Sequence, residues 1–150
     1  MCASGLGGVR RERLGVAEPA GRQPRRLGRV AVAPVDVVLD HERSLIVQPD
    51  VLFIATPRLS IIRDQVWGPP DLVAEVLSQS TANRDRGEKL AWYRQYGVRE
   101  CWLVDLYGDS VTVVDFSGAI PVTRLAHGPE KIVSSVLPDL ELSAYGLFLD

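Results

Sequence analysis

Two acids and a lysine stand out by where they sit. Glu75 interrupts the apolar run Leu72, Val73, Ala74, Val76, Leu77, and Asp50 interrupts a second apolar stretch between Leu45 and Ile54. Runs of this kind are expected to be strands, the first buried on both faces. A carboxylate buried there is costly unless a charge sits beside it. The chain has fifteen Arg and two Lys, Lys89 and Lys131, so arginine is its default cation and a lysine marks a place for a compact, pKa-adjustable ammonium. Taken singly, the plainer readings are a salt-bridged or strand-end acid and a solvated helix lysine. If the strand after Asp50 pairs with the strand carrying Glu75, however, two carboxylates converge on one site.

The elements that must position them lie mostly between Pro70 and Asp105. That stretch reads as strand, helix, strand. From Asn83 to Tyr96 there is no Pro, and Leu90, Tyr93 and Tyr96 recur at helical spacing. Ser80, Thr81 and Asn83 suit an N-cap, Gly97 suits a stop, and Cys101 to Val104 reads as a buried strand. Asp85 and Lys89 fall one turn apart, on one face of a helix that must pack back over the sheet holding Glu75. Trp92, Tyr93 and Tyr96 are read as packing residues in preference to platforms for bases. Asp105 is read as opening a turn over Tyr107 to Asp109. Cys101 and His127 are weighed as a nucleophile and base and set aside, because Cys101 sits in the middle of a strand.

Upstream, Val30 to Leu39 and Leu45 to Ile54 are strand candidates, with Pro34 arguing for an edge or a bulge. Thr56 to Pro69 is a long connection with room for a short helical turn over one end of the sheet. Downstream, Ser110 to Phe116 and Ala119 to Leu125 read as a hairpin, Lys131 to Val136 as a further strand, and Ser143 to Leu149 as a short helix. The apolar residues of this C-terminal hairpin region exceed what a small sheet can bury, which makes it a candidate homodimer surface.

Charge is unevenly spread. Residues 1–29 hold seven Arg against Glu12 and Glu18, or +5, while the rest has ten basic against seventeen acidic residues, or −7, for the net −2. The first stretch is rich in Gly and Arg with little apolar periodicity, so it is expected to be a disordered or loosely packed arm ahead of one domain over residues 30–150. No apolar run approaches the roughly 20 residues of a transmembrane helix, and no membrane partner is expected. Two cysteines, Cys2 and Cys101, make neither a disulfide framework nor a metal cluster, and a cytoplasmic setting is the simplest expectation.

The segments QPDVLFIA at 48–55 and PPDLVAEVLSQSTANRDRGEKLAWYRQYGVRECWLVD at 69–105, with LPDLELSAYGLF at 137–148, resemble the Uma family of restriction-endonuclease-like proteins, within the PD-(D/E)xK nuclease superfamily. The resemblance implies an α/β (α+β) fold in which a mixed β-sheet is flanked by helices, and magnesium-dependent hydrolysis of DNA phosphodiester bonds. Magnesium is hard and prefers oxygen, so Asp50, Glu75 and the Val76 carbonyl are the implied ligands, with manganese as a substitute. Lys89 is the implied catalytic cation beside Asp50 and Glu75. The superfamily's usual lysine position, two residues past the acid, is Leu77 here, which implies a lysine moved to the helix. Ser78 and Asp85 are the implied supports of the ligands, and Arg84, Arg86, Arg94 and Arg99 form a local basic patch for DNA.

Two departures accompany the resemblance. Gln79 replaces a proline in the turn after the Glu75 strand. The family's opening helix and hairpin have no recognisable counterpart ahead of Val30, which implies a shortened member or a misplaced start. The rival expectation is therefore a catalytically inactive nucleic-acid-binding or accessory protein that keeps the nuclease fold.

Overall fold

The computed structural model describes residues 26–78 and 83–148, with the side chains of residues 83–85 excepted. Most of the proposed arm, Cys2, Gln79, the proposed caps Ser80 and Thr81, and the side chains of Arg84 and Asp85 thus lie outside the described residues.

The apolar run that carries Glu75 becomes β6 (Leu72–Val76), and it lies inside a six-stranded sheet. Its neighbours differ in direction. On one side β4 (Val51–Ala55) runs antiparallel to it, with Val51 opposite Ala74 and Phe53 opposite Leu72. On the other side β7 (Glu100–Asp105) runs parallel to it. Parallel neighbours need a crossover, and the helix α1 (Asn83–Tyr96) supplies it. The sheet continues through β8 (Ser110–Asp115) to β9 (Val122–His127), the hairpin read from sequence, and ends on its other side at β1 (Gly28–Val32), which pairs with β4. The result is the mixed α+β architecture expected.

Two long strand candidates split at their prolines. Residues 30–39 divide into β1 and β2 (Val37–Asp40), and residues 45–54 into β3 (Leu45–Val47) and β4. β2 and β3 leave the main sheet and form a small one with β5 (Val66–Trp67), in the order β3-β2-β5. A proline cannot donate to a ladder, so each run changes sheets where one occurs. The Thr56–Pro69 connection contains the expected turn as a 3-10 helix over Thr56–Ile61. The expected strand at Lys131 to Val136 does not form. Only Lys131 bridges, to Ser143, and the segment instead crosses the sheet as coil with Ile132 and Leu137 buried.

Alternation along each strand sorts the side chains into two cores. On one face Leu52, Ile54, Val73, Cys101 and Leu103 pack under α1 and the small sheet, joined by Val37, Val66, Tyr93 and Val98. On the other, Phe53, Leu72, Ala74, Trp102 and Val113 are covered by Ile132, Leu137 and Ala144, which opens α2 (Ala144–Phe148). The helix ends as read from sequence: Gly97 takes φ +94° and the Val98 amide donates to the Tyr93 carbonyl at 2.9 Å, closing the last turn in a Schellman arrangement with both residues in the core.

The C-terminal segment is tied to the sheet by two acids that face each other across β7 and β8, Glu100 and Asp115. Glu100 is fully buried and accepts from Trp102 Nε1 at 2.6 Å, Ser134 Oγ at 2.6 Å and the Ser135 amide at 2.8 Å. Asp115 accepts from the Ser117 amide, from Arg124 at 3.1 Å and from the hydroxyls of Ser117 and Ser135. Burial alone would raise the Asp115 carboxyl, but these donors outweigh it and hold the group well below the usual carboxylate range. Replacing Glu100 by alanine leaves the buried Trp102 and Ser134 donors and the Ser135 amide unpaired, at a cost of about 3–5 kcal/mol. Urea unfolding of Glu100→Ala measures it, and a loss under about 1 kcal/mol would show the segment is held by its apolar contacts alone.

Candidate metal and catalytic site

The register of β4 against β6 brings the two sequence-flagged acids together. Continuing the pairing of Val51 with Ala74 by one step sets Asp50, at the entry to β4, opposite Glu75, near the end of β6. Asp50 is held there by the strand itself: the Val76 amide donates to Asp50 Oδ2 at 2.7 Å. Asp50 is half-buried, whereas Glu75 is 9 % exposed. Glu75 points to the face that α1 covers, since Leu72, Ala74 and Val76 alternate to the other.

The helix reaches both oxygens of Glu75 from one face. Tyr93, fully buried, donates its hydroxyl to Oε1 at 2.5 Å. Lys89, one turn earlier, places Nζ 3.5 Å from Oε2 and keeps 37 % of its side chain exposed. Residues four apart on a helix share a face, so a single stripe of α1 holds a neutral donor over the inner oxygen and a cation over the outer one. Burial pushes the Glu75 carboxyl above its ordinary value and the Asp50 charge adds to it, against the lowering effects of Tyr93 and Lys89. Burial and Glu75 together raise the Tyr93 phenol, which therefore acts as a donor. Burial likewise raises the Cys101 thiol.

Asp50, Glu75 and Lys89 thus form one constellation. Ser78 lies just past the end of β6, and Arg86 is half-buried on α1. Arg94 donates to the Ala119 carbonyl at 3.1 Å, and Arg99 pairs with Asp71 at 3.7 Å. Asp71 precedes β6 at the far end from Glu75, roughly 13 Å away at strand rise, so Arg99 does not join a patch around the site. His127, on β9, does not meet Cys101, which is fully buried on β7 opposite Val114. Asp105 does open its turn, accepting from the amides of Tyr107 and Gly108 at 3.1 Å.

Sequence reasoning placed Tyr93 in the core and missed its hydroxyl. The available signal was the four-residue step from Lys89, which puts both on the Glu75 side of the helix. The donor set suits a hard divalent cation. It consists of carboxyl oxygens at one point, with Asp50 Oδ1 carrying no hydrogen bond among the described residues. Among the described residues Asp50 and Glu75 are the two acids at this point, and no cluster of three or more His, Cys, Asp and Glu that could hold a metal ion occurs. Magnesium, which retains several waters, accepts that number.

The elevated Glu75 carboxyl has a consequence for stability. It binds its proton more tightly in the folded chain than in the unfolded one. Its contribution to folding is fully present below the ordinary value of 4.5 and is lost as pH rises through the higher folded value. Glu75→Gln keeps an acceptor for Tyr93 and has no proton to lose. In chelator-treated protein its stability relative to wild type should rise from pH 4 to pH 7, as read by urea unfolding at each pH. Parallel pH profiles for the two proteins would contradict this.

The family described as Uma2, putative restriction endonuclease, matches residues 12–145, opening within the stretch read from sequence as an arm. Among solved structures, the chain is similar to one described as a putative nuclease belonging to DUF820 from Anabaena variabilis ATCC 29413. The TM-score is 0.65 at 19 % identity, covering 82 % of this chain and 69 % of that one, a likeness of fold. A search of curated proteins gives no match. With a family match over most of its length and the fold to go with it, this chain belongs to the Uma2 family of restriction-endonuclease-like proteins.

Proposed function

We propose that the protein is a magnesium-dependent endonuclease that hydrolyses DNA phosphodiester bonds. The observation that carries this reading is the meeting of Asp50 and Glu75 across β4 and β6 with the Lys89 ammonium 3.5 Å from Glu75. Asp50, Glu75 and the Val76 carbonyl would hold the ion, with manganese able to replace it. When bound, magnesium supplies a Lewis acid that lowers the pKa of water and offsets charge on the scissile phosphate.

The chain's own residues divide the remaining work. Glu75 is aimed by Tyr93, and Asp50 by the Val76 amide. Lys89 is long, partly exposed and only loosely paired, so its ammonium can turn to a phosphate oxygen and balance the charge that develops as water adds to phosphorus and the bond to the leaving sugar oxygen breaks. Arg86, and Arg84 beside it in sequence, would neutralise flanking phosphates, while Ser78 and Asp85 would support the ligands. Arg94 would join them by exchanging its Ala119 contact for a phosphate. The chain's overall acidity is compatible with this, because phosphate binding needs a local cluster of cations and not a basic protein.

Titration calorimetry with magnesium, followed by nicking of supercoiled plasmid, tests the reading. Wild type should bind and nick. Glu75→Ala should lose both, and Lys89→Ala should cut about 10²- to 10³-fold more slowly while keeping most of its affinity for the ion. Binding without nicking in wild type would point to an accessory protein that retains the fold, and absence of binding would remove Asp50 and Glu75 as a metal site.

A further inference from the structure

We propose that residues 12–25 of this chain dock into an apolar groove on the sheet face opposite α1, with Leu14 and Val16 as the side chains that fill it. The docked segment braces the strands that carry Asp50 and Glu75 from behind. This contact is independent of the chemistry given to those acids.

The groove encloses about 430 Å³. Its floor is Phe53, Ala74 and Trp102 of the main sheet, and its wall is Leu140, Leu142 and Leu147 of the segment that crosses the sheet into α2. Every residue lining it is aliphatic or aromatic, and the Trp102 indole nitrogen already donates to Glu100. Its side chains therefore offer no charge and no free donor to a phosphate, a sugar or an ion, and what fits is apolar. Val76, Leu106 and Leu147 line it while 37–52 % exposed. Apolar surface gathered in one concave patch marks a contact site, whereas scattered apolar residues do not. Val51 and Val76 also line the groove, each next in sequence to one acid of the candidate site.

The chain outside the described residues supplies the occupant. Residues 79–82 are Gln79, Ser80, Thr81 and Ala82, and residues 149–150 add one apolar side chain, Leu149. Residues 1–25 carry Leu6, Val9, Leu14 and Val16, and the family match opens at residue 12, which selects Leu14 and Val16 as parts of the domain. This segment is also delivered to the right face. Leu27 packs against the same core as Phe53, Ala74 and Trp102, and the carbonyls of Arg26 and Leu27 are held by the Thr56 hydroxyl at 2.6 Å and amide at 3.0 Å. From Val16 to Leu27 the extended chain reaches about 36 Å, while three strand spacings separate β1 from β7, about 14 Å. A tethered segment meets the groove at an effective concentration in the millimolar range, which favours it over a second copy of the chain.

Trypsin cleavage of the full chain after Arg13 and Arg22, followed by mass spectrometry, tests the contact against a synthetic peptide of residues 1–25. Cleavage tracks the open fraction of a segment, so a segment docked about nine-tenths of the time is cut roughly tenfold more slowly than the peptide. Leu147→Asp, on the exposed rim, should return both sites to the peptide's rate with an unchanged circular dichroism spectrum. Leu14→Ser combined with Val16→Ser should do the same, judged against a peptide carrying both changes. Wild type cut at the peptide's rate would overturn the proposal, as would protection that survives either set of substitutions, since the segment would then be held elsewhere. Open sites in a wild-type dimer that Leu147→Asp dissociates, by light scattering, would assign the groove to a second copy instead. If Leu147→Asp fails to fold, the paired serine substitutions decide, because they lie outside the sheet.

Discussion

The constraint on which the site depends is a carboxyl group placed inside a sheet face that a helix covers. Glu75 occupies a β6 position whose alternation partner, Val73, is fully buried in the core beneath α1. An acid there must be met by polar groups from the covering helix or not be tolerated at all. α1 answers with Tyr93 and Lys89, and every feature that fixes the helix also fixes the site. Gly97 and the Val98 amide close its last turn around the Tyr93 carbonyl, and Tyr96 ties it to the small sheet by donating to Asp40 at 2.8 Å. The small sheet is thus more than a lid on the core, because it anchors the far end of the helix whose middle clasps Glu75.

Topology completes the arrangement. Because β6 lies between an antiparallel and a parallel neighbour, the entry of β4 and the ends of β6 and β7 gather at one edge of the sheet. Asp50 arrives there as the first turn of chain into β4, held by the Val76 amide. The other sheet end carries different chemistry. Asp71 receives the Ala55 amide at 2.7 Å and two arginines, Arg58 at 3.2 Å and Arg99 at 3.7 Å, which lock β6 to the 3-10 connection and to the α1–β7 turn. The same strand therefore begins with a structural acid and ends with a candidate catalytic one.

How much of this the sequence disclosed follows from the range of each interaction. Glu75, Asp50 and Lys89 were legible because an acid in an apolar run violates local patterning, and a violation needs a reason. The helix, its glycine stop and the β8–β9 hairpin were legible because caps, turns and periodicity act over a few residues. The Asp50–Glu75 meeting was not, since the register of β4 on β6 is set across a long connection by the packing of both faces. Pro34 announced a break in residues 30–39, but which sheet each half joins is equally nonlocal. Lys131 to Val136 was misread as a strand because Ile132 and Val133 suit one, yet its polar neighbours Ser134 and Ser135 are committed to Glu100 and Asp115, contacts no local pattern announces.

Comparison of the buried acids separates structure from chemistry more sharply than burial does. Asp71, Glu100 and Asp115 are as buried as Glu75 or more so; Glu100 and Asp115 each accept three or more hydrogen bonds from amide, hydroxyl, indole or guanidinium donors, and Asp71 accepts one amide and pairs with two arginines. A carboxyl so saturated has spent its acceptor capacity on holding the fold, and an ion offered to it would have to displace that. Glu75 receives one firm hydrogen bond and one loose ion pair, and Asp50 one amide. Their remaining lone pairs sit at adjacent positions on one sheet edge, where leaving them unpaired costs stability that a second structural donor would restore. Among the described residues, the pair at the β4–β6 crossing keeps more acceptor capacity in reserve than Asp71, Glu100 or Asp115, and that reserve is what a cation site requires.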